Sequence, residues 1–197
     1  VASHTCTHPT LSRIPKEQVI QEVLEDRKKL ESLTHKLVKG FSYPNGVYND
    51  EIETILKACG IVYSRTTRNT LRFDIPNNYL HWHPTCHHSD ALSLVDQFVN
   101  TKYDQRLKLF YIWGHSYEFD RDQNWELIEE LADKISFQDD VWYATNIEIY
   151  NYLKAASLLE YSSNGTYVYN PSYMSVWLSI DGDIKEIPGG SYVCLIK

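Results

Sequence analysis

Leu107-Lys108-Leu109-Phe110-Tyr111-Ile112-Trp113 is apolar at nearly every position. Such a run predicts a strand buried on both faces, not one alternating between core and solvent. A helix precedes it, Ala91–Val99, and another follows, Trp125–Ile135. Beyond these the pattern predicts a further strand, Val141–Ala144, and a last helix, Ile147–Ala156. Working towards the N-terminus, Ile61-Val62-Tyr63 reads as a short buried strand. It is preceded by a helix carrying Ile52, Ile55, Leu56 and Cys59, which Gly60 stops. The first helix starts at Pro15. Its apolar face comprises Val19, Ile20, Val23, Leu24, Leu30, Leu33 and Leu37, with Glu22, Glu25, Asp26, Lys28 and Lys29 facing water. Between these helices an apolar piece, Leu37 to Tyr43, ends in the turn Pro44-Asn45-Gly46. Apolar strands separated by amphipathic helices indicate an α/β domain with parallel strands covered by helices.

The pattern changes near residue 157. Asn164-Gly165, Asp181-Gly182 and Gly189-Gly190 are turn signals between the short β-rich runs Tyr167–Tyr169, Val176–Ile180 and Tyr192–Ile196. We therefore expect an α/β domain over 1–156 and a small antiparallel β appendage over 157–197, with no linker between them.

The 197 residues suffice for one core with a small appendage. The net charge of −7 is spread along the chain without a stripe of Lys or Arg, which argues against nucleic acid as a partner. No apolar run approaches the ~20 residues that a membrane span needs. The four cysteines (Cys6, Cys59, Cys86, Cys194) lack metal or disulfide spacing and read as free thiols. Fifteen Tyr and five Trp supply ring faces able to stack on sugars, and equally serve as core.

Polar residues gather where strands end, the place where α/β domains collect chemistry. His4 and His8 stand four apart, a spacing that lets two imidazoles converge on a metal. Phe41-Ser42-Tyr43-Pro44-Asn45-Gly46 runs from a strand into a tight turn. His81-Trp82-His83-Pro84-Thr85-Cys86-His87-His88 holds four of the eight histidines, and His115 follows the buried strand 107–113. Only His35 falls in a predicted helix.

Taken in order, these segments resemble the polysaccharide deacetylase family (carbohydrate esterase family four, the NodB homology domain). The resemblance implies a zinc-dependent, distorted (β/α) barrel that removes N- or O-acetyl groups from acetylated polysaccharides or oligosaccharides. His4-Thr5-Cys6-Thr7-His8 matches the family's H-[ST]-x-x-H motif. His4 and His8 are thereby implied ligands of Zn or another divalent first-row metal. Ser42-Tyr43-Pro44-Asn45-Gly46 is similar to R-x-P-[FY]-G, with Ser42 in place of the Arg and Asn45 in place of the aromatic. The implied oxyanion donor is the Asn45 backbone N–H, with Tyr43 and Pro44 beside the substrate. Ile112-Trp113-Gly114-His115 resembles the L-x-H motif and implies His115 as general acid, with Trp113 at the substrate. Trp82 is the expected wall of the acetyl pocket, and His83 stands next to it. The family's Asp-Asp motif, which carries the general base and the third ligand, has no counterpart here and is expected upstream of Val1.

The resemblance spans residues 1 to about 155 without the first barrel strands, so an incomplete barrel and an impaired deacetylase are expected. Lost strands expose edges, which favours a homo-oligomer. With no signal readable, bacterial cytoplasm and cell envelope both stay open. The other reading of the same residues is a catalytically silent glycan-binding domain on this fold. One further variant has His83, His87 or His88 replacing the missing carboxylate as third metal ligand.

Overall fold

A computed structural model describes residues 1–101 and 106–196, and the chain divides into a unit Val1–Trp142 and a second one from Tyr143 onwards. In the first unit β1 (Gly40–Ser42) pairs in parallel with β2 (Tyr63–Arg65), and β3 (Cys86–His87) with β4 (Ile112–Trp113). Parallel bridges Ser3↔Phe41 and Arg65↔Trp82 extend the first pair on both sides. The neighbours thus follow chain order, as helical crossovers between parallel strands impose. The expected parallel α/β character is present. A barrel is not: no closed sheet forms among the described residues. Residues 141–144, expected as a strand, have no strand structure, and Leu107–Trp113 contracts to β4. The rest of that run forms no strand and is tied to loops, Leu109 N–H to Phe73 O and Thr85 N–H to Tyr111 O.

Two helical layers cover these strands. α1 (Lys16–Thr34) and α2 (Asp50–Ala58) bury Val19, Val23, Ile52 and Leu56 against Phe41, Tyr43 and Ile61. α2 is capped by the Asn49 side chain, which accepts from Ile52 N–H at 2.9 Å, and its first turn holds Asp50, Glu51 and Glu53. α3 (His88–Asn100) and α5 (Trp125–Ile135) bury Ala91, Val95 and Leu131 with Cys86; between them runs the short α4 (Ser116–Asp122). All four cysteines are free.

The α1 face differs from expectation at both edges. Leu33 and Leu37 are 66% and 74% exposed, while Glu22 is buried. Glu22 accepts from the Cys6 and Thr7 backbone N–H groups and the Thr7 hydroxyl at 2.6–2.8 Å. Asp26 accepts from the Ser3 hydroxyl and the His4 N–H. The α1 carboxylates therefore moor the loop of residues 3–8. Burial alone would raise the Glu22 pKa, but the three donors hold it below the ordinary carboxylate range. That stabilisation is complete above the normal carboxylate pKa and is lost as pH falls through the lowered one. Glu22→Ala is expected to cost about 3 kcal/mol, since hydrogen bonds to a charged group contribute roughly 1.5–3 kcal/mol each and not additively. Urea unfolding of wild type and variant, repeated on going from neutral to acid pH, measures both the loss and its convergence.

The second unit begins with α6 (Asn146–Ser157), whose residues the sequence pattern assigns to the α/β domain. It continues into an antiparallel sheet of β5 (Glu160–Tyr161), β6 (Tyr167–Tyr169) and β9 (Tyr192–Cys194), and a hairpin of β7 (Val176–Ile180) and β8 (Asp183–Ile187). Asp181 and Gly182, both at positive φ, make the hairpin turn. Among the described residues no helix is long and apolar enough to cross a membrane.

Candidate functional site

His4 and His8 lie in the moored loop that leads towards the end of β1. Their rings meet edge to face with centroids 4.7 Å apart. His4 Nδ1 donates to the Ser42 carbonyl at 2.7 Å. A carbonyl can only accept, so the neutral ring carries its proton on Nδ1 and leaves Nε2 as a free lone pair, the arrangement of a metal-ligating imidazole. Burial lowers the His4 pKa and outweighs the opposing bond to Ser42, which keeps the ring neutral. Thr5 and His8 sit at φ 68° and 58°. Left-handed backbone is costly for a β-branched residue, on the order of 1–3 kcal/mol, and such strain concentrates at functional sites. The Thr5 hydroxyl accepts from His8 N–H at 3.1 Å and closes the turn. The donor set thus fits two ligands of a metal site. No third His, Cys, Asp or Glu of the described residues joins the pair within ligand distance, so the three-histidine variant with His83, His87 or His88 is not formed.

The turn after β1 places Asn45 exposed at φ 57°, a conformation that Asn tolerates, with its amide on the Thr10 hydroxyl at 3.1 Å. Gly46 is required next to it: a Cβ there would stand 2.1 Å from Thr67 Oγ1. Tyr43 and Trp82, expected against substrate, are sealed in the core at 1% exposure, and Pro44 is buried as well. The Tyr43 hydroxyl donates to Leu80 O at 2.9 Å, and burial drives its pKa far up. His83 is held by the Thr66 hydroxyl (2.6 Å) with its pKa lowered by burial, and its ring faces Tyr48 at 6.4 Å.

At the ends of β3 and β4 a different cluster forms. His87 Nε2 lies 3.0 Å from Glu118 Oε2, His115 Nδ1 3.4 Å and His88 Nδ1 3.7 Å from the same oxygen. The His115 backbone N–H also donates to it at 3.0 Å. Burial works to raise the Glu118 pKa, but that N–H and the imidazoles hold it below the usual range, so it is a carboxylate at neutral pH. His88 is 5% exposed and neutralised by burial. Its Nδ1 needs Gly114, where a Cβ would stand 2.0 Å away. A cavity of about 430 Å³ opens here, lined by Arg65, His88, Tyr111, Trp113, His115 and Phe119. His115 and Trp113, both expected at a site, do line it.

Arg65 links the two clusters. The register pairs it with Ser42, whose hydroxyl accepts from Nη2, and its guanidinium lies 4.9 Å over the Trp113 ring. No carboxylate of the described residues pairs with it, and burial lowers its pKa. Sequence reasoning missed Arg65, Glu118, Glu22 and Asp26. Ser42, standing where a motif lacks its Arg, was the one signal that pointed to the first.

Residues 1–64 match the polysaccharide deacetylase family. Among solved structures, the chain is similar to a Mycobacterium smegmatis protein of the polysaccharide deacetylase type, with 16% identity over 80% of this chain and 63% of that one, at a TM-score of 0.57. That likeness is one of fold. A family 4 carbohydrate esterase from Streptomyces lividans, in complex with acetate, shows 16% identity over 69% of this chain and 60% of its own, TM-score 0.41. The Streptococcus pyogenes deacetylase PplD, also with acetate, shows 24% over 34% and 30%, TM-score 0.34. The chain spans less than two thirds of each of these. No curated protein matches it.

Proposed function

Residues 1–64 carry the pattern of the polysaccharide deacetylase family, and from that premise we propose that the chain removes acetyl groups from an acylated carbohydrate polymer or oligomer. The observation that carries the reading is His4, fixed by Ser42 O with Nε2 left to ligate and His8 edge-on beside it. Those two side chains would hold a divalent metal, zinc first, together with a ligand beyond the described cluster. When bound, such a metal polarises the acetyl carbonyl and lowers the pKa of water towards ~7.

The chain's own residues account for the remaining work. The Asn45 backbone N–H, at the exposed tip of its turn, serves as a donor to the developing oxyanion. His115 hands a proton to the departing amine or alkoxide, with the Glu118 carboxylate beside Nδ1 fixing the ring. Arg65 offers its guanidinium between the two clusters, where it orients a carboxylate or carbonyl of the reacting assembly. Trp113 presents an aromatic wall of the cavity to a sugar face.

A second reading, a silent glycan-binding domain, is favoured by one observation: only two ligands converge at His4 and His8 among the described residues. Acetate release from acetylated chito-oligosaccharides and acetylated peptidoglycan fragments, with zinc supplied, separates the two. Release that a chelator abolishes is the expected result. Oligosaccharide binding without any acetate would establish the binding domain instead.

A further inference from the structure

We propose that His87, His115 and Glu118 form a second divalent-metal site, separate from the His4/His8 pair, that withdraws His115 from proton transfer when filled. The regulatory half of this rests on the deacetylase reading; the metal site itself does not. Among the described residues this trio is the group whose ligand atoms all lie within 4.8 Å of one another.

The geometry is that of an open three-ligand site. Bonds of ~2.0–2.2 Å from zinc to imidazole nitrogen and carboxylate oxygen put tetrahedral neighbours roughly 3.3 Å apart. His87 Nε2 and His115 Nδ1 already stand 3.0 and 3.4 Å from Glu118 Oε2, so only the separation of the two imidazoles has to adjust. Two imidazoles and one carboxylate are a borderline donor set that suits zinc, cobalt or ferrous iron in preference to calcium or magnesium.

The surroundings hold the ligands as such sites require. His87 Nδ1 accepts from the Ser89 backbone N–H at 3.4 Å, which fixes the ring as the cap of α3, and Nε2 donates to Glu118 at 3.0 Å, where a metal would take the place of that proton. His115 and Glu118 are placed by the first turn of α4, where the His115 N–H donates to the Glu118 carboxylate. His88 packs against the trio, its ring tilted with centroids 4.0 Å from His87 and 4.4 Å from Phe119, and blocks collapse of the site. The far side is open: the His115 side chain is 46% exposed, which leaves room for water or an exogenous ligand as fourth partner.

The consequence for His115 follows from its two nitrogens. A metal on Nδ1 takes the nitrogen that Glu118 steadies and ties the ring to His87 as well, so His115 no longer turns towards the leaving group. A filled second site therefore acts as a brake while the His4/His8 pair keeps its own ion.

The test uses the full chain with His4 and His8 both changed to alanine, which removes the first pair, and cobalt(II) as the probe. Gel-filtered protein is expected to retain about one cobalt per chain with the visible absorption of a low-coordinate, nitrogen- and oxygen-ligated ion. Adding His87→Ala or Glu118→Gln should weaken retention roughly 100-fold. Far-UV circular dichroism checks folding, and Glu118→Gln preserves the size of the side chain. Absence of cobalt from the folded double variant overturns the site, as does unchanged retention after His87→Ala. With His4 and His8 intact, excess zinc should suppress acetate release, and His87→Ala should relieve that suppression while leaving the basal rate. Suppression persisting in His87→Ala overturns the brake. Cobalt retention needs no deacetylation, so a chain that binds cobalt but releases no acetate counts against the proposed activity alone.

Discussion

His115→Ala is expected to lower kcat for acetate release by roughly 10²–10⁴-fold, the usual contribution of a positioned acid or base, with KM little changed. The expectation comes from placement. His115 ends the β4 segment, lines the cavity beside Trp113, and has a carboxylate 3.4 Å from Nδ1 to orient it. Its loss removes a proton from the leaving group and no substrate contact of comparable size. His115→Gln keeps a polar group of similar reach and should be equally slow. Steady-state acetate assays of wild type and both variants decide the matter. An unchanged kcat, or a loss appearing entirely in KM, would remove His115 from the reaction.

The second large effect is at His4. His4→Ala should reduce bound metal by one ion per chain and bring acetate release to about the uncatalysed background, since one of the few available ligands disappears. Burial lowers the proton affinity of His4. Protons therefore compete for its Nε2 only at a pH below that of an ordinary imidazole, and metal retention should persist further into the acid range than for a surface histidine pair. Metal analysis after dialysis at stepped pH measures this directly. Full metal content in a folded His4→Ala chain would mean that the ion sits elsewhere.

Much of the secondary structure was legible because it depends on local spacing. The apolar repeat over Trp125–Ile135 matches α5 to the residue, and β6, β7 and the Asp181-Gly182 hairpin lie where turn chemistry puts them. The strand expected at 107–113 shrank because its apolar side chains serve packing without a ladder. Phe110 meets Phe73 and Phe98, while Leu107 is 61% exposed. Tyr43 and Trp82 show the same limit at the site. Aromatic residues beside histidines read as pocket walls, but large rings gain most from burial, and the core took both. What could not be read is what joins distant residues. Glu22 reaches amides fifteen and sixteen positions upstream, and Glu118 meets a histidine thirty-one positions away. Periodicity carries no trace of such pairs.

The Ser42–Arg65 register shows how a site can be rewritten sideways. Neighbouring parallel strands present their terminal side chains to one shared space, so a guanidinium withdrawn from one rung can be supplied from the adjacent one without moving the backbone. Chemistry held in this way belongs to a location in the sheet, whichever strand delivers it. A motif scored letter by letter would count Ser42 as a defect; a motif scored by location would also weigh what the neighbouring strand brings there, here the Arg65 guanidinium on the Ser42 hydroxyl.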